Sequence, residues 1–156
     1  MPTFRQHTLQ ENSINAKTMR IRACFTTLLY ASLNLLLLTH HEAWRDEAQA
    51  WMIARNLSLQ EIIEILSTEG HLLPFFLILK VWYKLGGAYA WIGLISLSLM
   101  TIAVAIFLYK APFSFCVKVL LIFSPIFFYY NPVIARCYSL VVLMLVIVAA
   151  VRRDRE

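Results

Sequence analysis

Charged residues are scarce in this chain. They make up 15% of its 156 residues, while hydrophobic residues make up 60%. A soluble domain of ordinary composition carries about 25% charged residues, so this composition excludes that class. Together with a mean hydropathy of +0.68, it predicts an integral membrane protein.

Cysteine is also rare, and a basic cluster is missing. The three cysteines are odd in number and lie in or beside apolar runs, without the spacing of a disulfide framework or a metal site. The net charge is +5, but the basic residues stand at the ends of apolar runs. The expected partners are therefore membrane lipids, and nucleic acid is not among them.

The first apolar run lacks a small-residue cleavage site. After Leu38 the chain continues Thr-His-His-Glu-Ala-Trp. A cleavable signal peptide would end in small residues, so this run predicts an uncleaved anchor.

Four apolar runs predict membrane-spanning helices, since crossing about 30 Å of hydrocarbon takes roughly 20 helical residues. They cover residues 21–39, 88–109, 117–134 and 137–151. Residues 1–20 are then a cytoplasmic leader, 21–151 the membrane domain and 152–156 a cytoplasmic tail. The predicted fold is all-α: a polytopic membrane helical bundle of four transmembrane helices, with an extracytoplasmic loop of amphipathic interfacial helices after the first span.

That loop, residues 40–87, carries six of the nine acidic residues and three of the four histidines. Residues 42–56 predict a helix with tryptophans on one face and acids turned to water. Ser58 and Glu61 form a capping box at the start of a second helix, which Gly70 ends. Residues 72–85 are too few for a span and contain Lys80 and Lys84, so they predict a re-entrant or interfacial helix.

The distribution of lysine and arginine predicts the orientation. If the 72–85 helix does not cross, nine of the fourteen basic residues lie on the cytoplasmic side, which the positive-inside rule favours. Both termini are then cytoplasmic, and the protein is a multi-pass protein of the cytoplasmic membrane. Asp46, Glu47, His71 and Arg136 all fall on its outer face.

Three short patterns lie on this topology. Residues 44–47 read Trp-Arg-Asp-Glu after the first span, residues 70–74 read Gly-His-Leu-Leu-Pro before a short apolar helix, and residues 132–140 read Pro-x-x-Ala-Arg-x-Tyr-Ser-Leu. In this order, the patterns resemble the N-terminal module of the GT-C membrane glycosyltransferases, such as protein O-mannosyltransferases and the aminoarabinose transferases of lipid A. Members of this family usually carry several hundred residues, so the resemblance predicts that the chain is a fragment or a split protein and inactive alone.

The resemblance implies a polyprenyl-phosphate sugar donor and a lipid, glycan or protein acceptor outside the cytoplasmic membrane. It also implies that Asp46 is the catalytic base or a metal ligand. A missing C-terminal portion or a partner subunit is an expected partner.

The residues themselves support this chemistry. Sugar transfer from a lipid phosphate needs a base for the acceptor proton and positive charge for the leaving phosphate. Asp46 is the candidate base, and Glu47 is a second catalytic candidate that could orient the acceptor or cap a neighbouring helix. Arg136, His71 and Tyr138 are candidates for the donor phosphate or substrate. No cofactor is certain; Glu42, one helical turn before Asp46, makes a divalent metal ion conceivable.

Two other interpretations stay open. Acids on an interfacial helix are often only its solvated face, and Arg136 between apolar runs is often a topology anchor. The alternative function is therefore a small non-catalytic membrane subunit or a truncated remnant. A transporter is disfavoured because no predicted span carries central acidic residues.

Overall fold

The computed structural model describes the backbone of residues 4–66 and 72–155, and side chains from residue 17 onward within those ranges. The described part is all-α and contains no β-strand. Its helices, in chain order, are α1 (Phe4–Leu38), α2 (Arg45–Asn56), α3 (Leu59–Leu66), α4 (Leu73–Lys84), a 3-10 turn (Tyr89–Trp91), α5 (Gly93–Lys110), α6 (Phe115–Ile122), a π-helix (Ile126–Tyr130) and α7 (Tyr138–Arg153).

Four segments lie side by side and alternate in direction. Near its middle, α1 packs Ala23 in one cluster with Leu108 near the end of α5, and at its end it packs Leu38 in one cluster with Leu97 near the start of α5. These two helices are therefore antiparallel. Helix α7 runs parallel to α5, because Ser139 contacts Ser96 and, at the other end, Asp154 contacts Lys110.

The segment from α6 to the π-helix completes the set. At its start, the Lys118 ammonium donates a hydrogen bond of 2.8 Å to the carbonyl of Leu108. Beyond its end, Val133 packs with Leu38 and Leu97. The bundle thus has two ends. The Asp46 end comprises residues 38–48, 89–96 and 131–139, and the Lys110 end comprises residues 17–23, 108–118 and 150–155.

Only two of the four predicted spans are single helices long and apolar enough to cross a membrane. They are Lys17–Leu38 and Tyr89–Lys110, each of 22 residues. Helix α7 has 16 residues, and residues 117–134 do not form one helix, because α6 ends after eight residues at Ile122. These two helices give weak support for an association with a membrane.

A proline explains the break in the third segment. Pro125 has no N–H group, and the chain re-forms as a π-helix from Ile126, with the Asn131 N–H bonding to the Ile126 carbonyl. The Phe127 carbonyl consequently loses its ordinary partner, the Asn131 N–H, and the next residue, Pro132, has none to offer. The hydroxyl of Tyr30, fully buried on α1, donates to this carbonyl at 2.5 Å.

The loop between the first two long helices forms a small core of its own. Helix α4 packs along α2, and α3 covers α4. The shared core contains Trp51, Ala54, Ile62, Phe75, Phe76 and Leu79, and it continues into the bundle through Ile92, Ile95, Ala135 and Cys137. These helices therefore pack on one another and on the Asp46 end. With 12 residues, α4 is about 18 Å long, shorter than the hydrocarbon layer of a membrane.

The predicted capping box of α3 is confirmed. The Glu61 carboxylate accepts from the Ser58 N–H at 2.7 Å, and the Ser58 hydroxyl accepts from the Glu61 N–H at 3.3 Å. The Ser58 hydroxyl, followed by its backbone, lowers the pKa of the Glu61 carboxyl below its usual value. The end of α3 that the sequence places at Gly70 lies outside the described residues.

Candidate functional site

An acidic and a basic side chain meet at the Asp46 end although 90 positions separate them in the sequence. The Arg136 guanidinium lies 3.0 Å from the Asp46 carboxylate, and the two side chains are 25% and 47% exposed. Asp46 stands in the first turn of α2, where the helix dipole favours a negative charge. The structure therefore brings together the candidate base and the candidate phosphate ligand.

Arg136 is held in place by its surroundings. Its guanidinium carbon lies 5.3 Å from the centre of the Tyr138 ring, a cation–π distance. Its carbonyl accepts from the hydroxyl of Ser139 at 3.1 Å, and Ser139, fully buried, also contacts Ser96 of α5 at 3.2 Å. The third candidate, Tyr138, thus joins the pair, while its ring remains half exposed.

Glu47 lies beside this pair but faces inward, with 1% of its surface exposed. One carboxylate oxygen accepts from the Trp44 N–H at 2.7 Å and lies 2.8 Å from the His41 ring nitrogen Nε2. The other oxygen accepts from the Ala135 N–H at 2.6 Å. A buried carboxylate is stable only with such partners, so Glu47 has its hydrogen-bonding capacity committed within the protein.

The position of Glu47 favours a positioning role over contact with a substrate. Residues 131–135 are buried yet irregular, and buried N–H groups of this kind need a partner. Glu47 supplies one for Ala135, the neighbour of Arg136. It therefore connects the start of α2, which carries Asp46, with the segment that carries Arg136. The sequence indicated a neighbouring helix as the one that Glu47 could cap, but Glu47 caps its own helix, α2.

The face of α2 that packs inside the protein is not the one that carries Trp44 and Met52, whose surfaces are 46% and 51% exposed. The buried positions are Glu47, Trp51 and Ala54, which follow the i, i+4, i+7 spacing of one helical face. Hydrogen bonds with distant backbone let a carboxylate take a place that hydrophobicity alone assigns to apolar residues.

The predicted start of α2 was wrong. This difference removes the helical spacing on which the metal hypothesis rested. Because Glu47 reaches back to the Trp44 N–H, the helix begins at Arg45 and leaves Glu42 outside it. Glu42 and Asp46 therefore are not one helical turn apart. Among the residues that the structure describes, no group of three metal-ligating side chains comes together.

The other predicted cations take different places. His71 lies outside the described residues. The Lys80 ammonium donates to the carbonyl of Ala54 at 3.2 Å and to that of Leu57, both at the C-terminal end of α2. Positive charge at this end complements the helix dipole, so Lys80 serves as a helix cap.

His41 contributes to the site through a contact that the sequence did not predict. Its side chain is 6% exposed and contacts Glu47, and its ring meets Tyr129 edge to face at 6.4 Å. No helical spacing connects positions 41 and 47, and only the backbone bend between α1 and α2 brings them together. A sequence pattern therefore holds no signal for this contact.

Two exposed aromatic side chains lie near the Asp46 end. Trp44 meets Tyr130 edge to face at 6.5 Å, and both rings are about half exposed. Exposed tryptophan and tyrosine are typical of the membrane–water interface, and they also offer flat faces to a bound ring. The Asp46 end therefore carries an accessible carboxylate, a guanidinium and exposed aromatic rings.

These groups define the chemistry that the site can perform. An accessible carboxylate can accept a proton from a hydroxyl, and a guanidinium can bind a phosphate through two N–H groups once it leaves its partner. Because the ion pair is partly exposed, separating it costs on the order of 1 kcal/mol or less.

The chain was compared with protein-family models, with curated proteins and with solved structures. None of the three comparisons found a match.

Proposed function

We propose that this chain is a membrane glycosyltransferase of the GT-C type, or the donor-binding part of one. In this proposal it transfers a sugar from a polyprenyl-phosphate donor to a hydroxyl of a lipid, glycan or protein acceptor. The observation that carries the proposal is the Asp46–Arg136 pair, which joins two of the three patterns on which the resemblance rests.

The roles follow from the two charges. Asp46 accepts the proton of the attacking hydroxyl, and Arg136 binds the phosphate that leaves when the bond from the sugar to the phosphate oxygen breaks. Glu47 holds the segment of Arg136 against α2, and Tyr138 lies against the guanidinium. Arginine suits the phosphate because its planar fork pairs with two oxygens at once.

The proposed setting is the outer face of the cytoplasmic membrane. We propose that the four alternating segments all cross the bilayer, with both termini inside, and that the helices of residues 40–87 lie outside. Support comes from the two long apolar helices and from the excess of basic residues at the Lys110 end. The donor head group would then meet Asp46 at the bilayer surface, where the exposed aromatics lie.

The test is transfer of radiolabelled sugar from a panel of polyprenyl-phosphate sugars in membranes that contain the chain, with and without the product of the adjacent reading frame. Asp46→Asn is expected to lower transfer at least a hundredfold, since it removes the base while keeping the shape. Glu64→Gln, an exposed acid on α3, is the matched control and should keep full transfer.

Two results would contradict the proposal. One is transfer that Asp46→Asn leaves unchanged. The other is the absence of transfer under both conditions from protein shown to be inserted in the membrane, which would favour a non-catalytic subunit.

A further inference from the structure

An apolar cavity of about 260 Å³ lies between α5, α6 and α7. All ten side chains that line it are apolar, among them Met100, Ala103, Ile122 and Val142. An engineered apolar cavity of about 150 Å³ in another protein stays dry and binds benzene. A cavity of this lining and size is therefore suited to hydrocarbon and unsuited to water.

A second cavity, of about 760 Å³, adjoins the first and leads to the Lys110 end. Both are lined by Phe107, Leu145 and Val146, so they form one path, here named the α5/α7 groove. Its far end is lined by the basic side chains of Lys110, Arg152 and Arg153. The groove thus changes along its length from purely apolar to cationic.

The whole Lys110 end is positive. Within residues 17–23, 108–118 and 150–155, eight side chains are basic and only Asp154 is acidic. Asp154 lies 2.6 Å from the Lys110 ammonium, but the two side chains are 56% and 44% exposed, so this ion pair is weak. A second anion can therefore compete for the same cations.

The size and the apolar lining of the inner cavity favour a slender apolar occupant. A helix with its side chains is about 10 Å across, whereas a hydrocarbon chain is only one methylene group wide. An anion joined to a hydrocarbon chain matches both ends of the groove, and basic side chains near a bilayer attract anionic lipids by about 1 kcal/mol each.

We propose that the α5/α7 groove binds an anionic phospholipid, with one acyl chain between α5 and α7 and the phosphate between Lys110, Arg152 and Arg153. This site is independent of the proposed sugar transfer, because it opens at the opposite end of the bundle from Asp46. It would fill the gap between the helices and fix the end of α7 to that of α5.

The experiment uses the whole chain in lipid nanodiscs with two photoactivatable lipids, phosphatidylglycerol and phosphatidylcholine, each carrying a diazirine near the end of one acyl chain. Phosphatidylglycerol is expected to label residues 100–107 and 142–146 at least fivefold more than phosphatidylcholine. Ala103→Phe, which fills the inner cavity, should lower this labelling about fivefold. Asp154→Asn, which removes the competing anion, should raise it about twofold.

Charge variants separate the head-group contact from general attraction to the bilayer. Lys110→Gln with Arg153→Gln should bring labelling by phosphatidylglycerol down to the level of phosphatidylcholine. The matched control, Arg20→Gln with Arg22→Gln, removes the same charge from exposed positions at the same end and should keep the preference.

Two outcomes would overturn the proposal. They are equal labelling by the two lipids in the unaltered chain, and labelling confined to helix faces outside the groove. The comparison of the two lipids needs no variant, so it decides the question even if Ala103→Phe fails to fold.

Discussion

Asp46 and Glu47 are neighbouring acids that face opposite surroundings. Asp46 is half exposed and pairs with a guanidinium, so solvent and ligands can reach it. Glu47 is buried and has three partners inside the protein. One residue of rotation on the helix, about 100°, is enough to separate an accessible carboxylate from one that supports the fold.

This contrast makes a prediction at the residue scale. Glu47→Gln should lower the free energy of unfolding by about 2 kcal/mol, since hydrogen bonds to a charged group are stronger than those to a neutral one. Asp46→Asn should lower it by less than about 1 kcal/mol, as is typical of a partly exposed ion pair. Thermal unfolding in detergent, followed by tryptophan fluorescence, measures both. An equal loss in the two variants would contradict the assignment of a structural role to Glu47 alone.

At this scale the sequence predicts the residue types of the site better than their orientations. The resemblance drew attention to Asp46, Arg136 and Tyr138, and these lie together. It could not place the carboxylate of Glu47 against the Ala135 N–H, because that contact joins segments 88 positions apart. Such contacts depend on how the helices pack, and no local pattern encodes them.

The helices follow local rules where local chemistry decides. Helix α3 begins at the predicted capping box, and α5 ends at Lys110, just before Pro112. The Glu61 carboxyl is ionised at neutral pH, as an ordinary glutamate is, and its lowered pKa extends the charged form to more acidic pH. The contribution of this cap is present above the ordinary pKa of a glutamate and is lost as the pH falls through the lowered value.

The third segment departs from prediction because a tertiary contact compensates a local defect. The sequence predicts one helix over 117–134, but the chain changes from α6 to a π-helix. The orphaned Phe127 carbonyl is tolerated because Tyr30 donates to it from another helix. A pattern along one segment does not contain the partner on the next.

Tyr30→Phe tests this explanation at the scale of the element. Removing the hydroxyl leaves a buried carbonyl without a partner, and we expect a loss of about 1 kcal/mol in the free energy of unfolding. Amide hydrogen exchange should rise most in residues 126–131. Tyr109→Phe, which changes a half-exposed tyrosine, is the control and should alter neither quantity. Unchanged exchange in the π-helix of Tyr30→Phe would show that the bond does not stabilise it.

In the described part of the chain, the bundle has one end that carries the candidate site and one end that is basic. Asp46, Arg136 and the exposed aromatics share the first, while Lys110, Asp154 and the basic residues of α1 share the second. This separation follows from the alternating direction of the four segments. It corresponds to the topology proposed from the count of lysine and arginine.

Cysteine labelling tests that topology in the intact chain. In a background with Cys24, Cys116 and Cys137 replaced by serine or alanine, Glu42→Cys should react with an impermeant thiol reagent added outside. Pro112→Cys should react only after the membrane is permeabilised. Both positions are exposed, so burial does not explain a difference. Labelling of both from outside would contradict the arrangement of four spans.

The most direct test of the central claim separates donor binding from transfer. The claim is that Arg136 binds the donor phosphate and Asp46 removes the acceptor proton. In membranes that support transfer, binding of a labelled polyprenyl-phosphate sugar should persist in Asp46→Asn, while transfer is lost. Arg136→Gln should weaken binding at least tenfold. If Arg136→Gln binds the donor as well as the unaltered chain does, the pair is an ordinary surface ion pair and the claim is wrong.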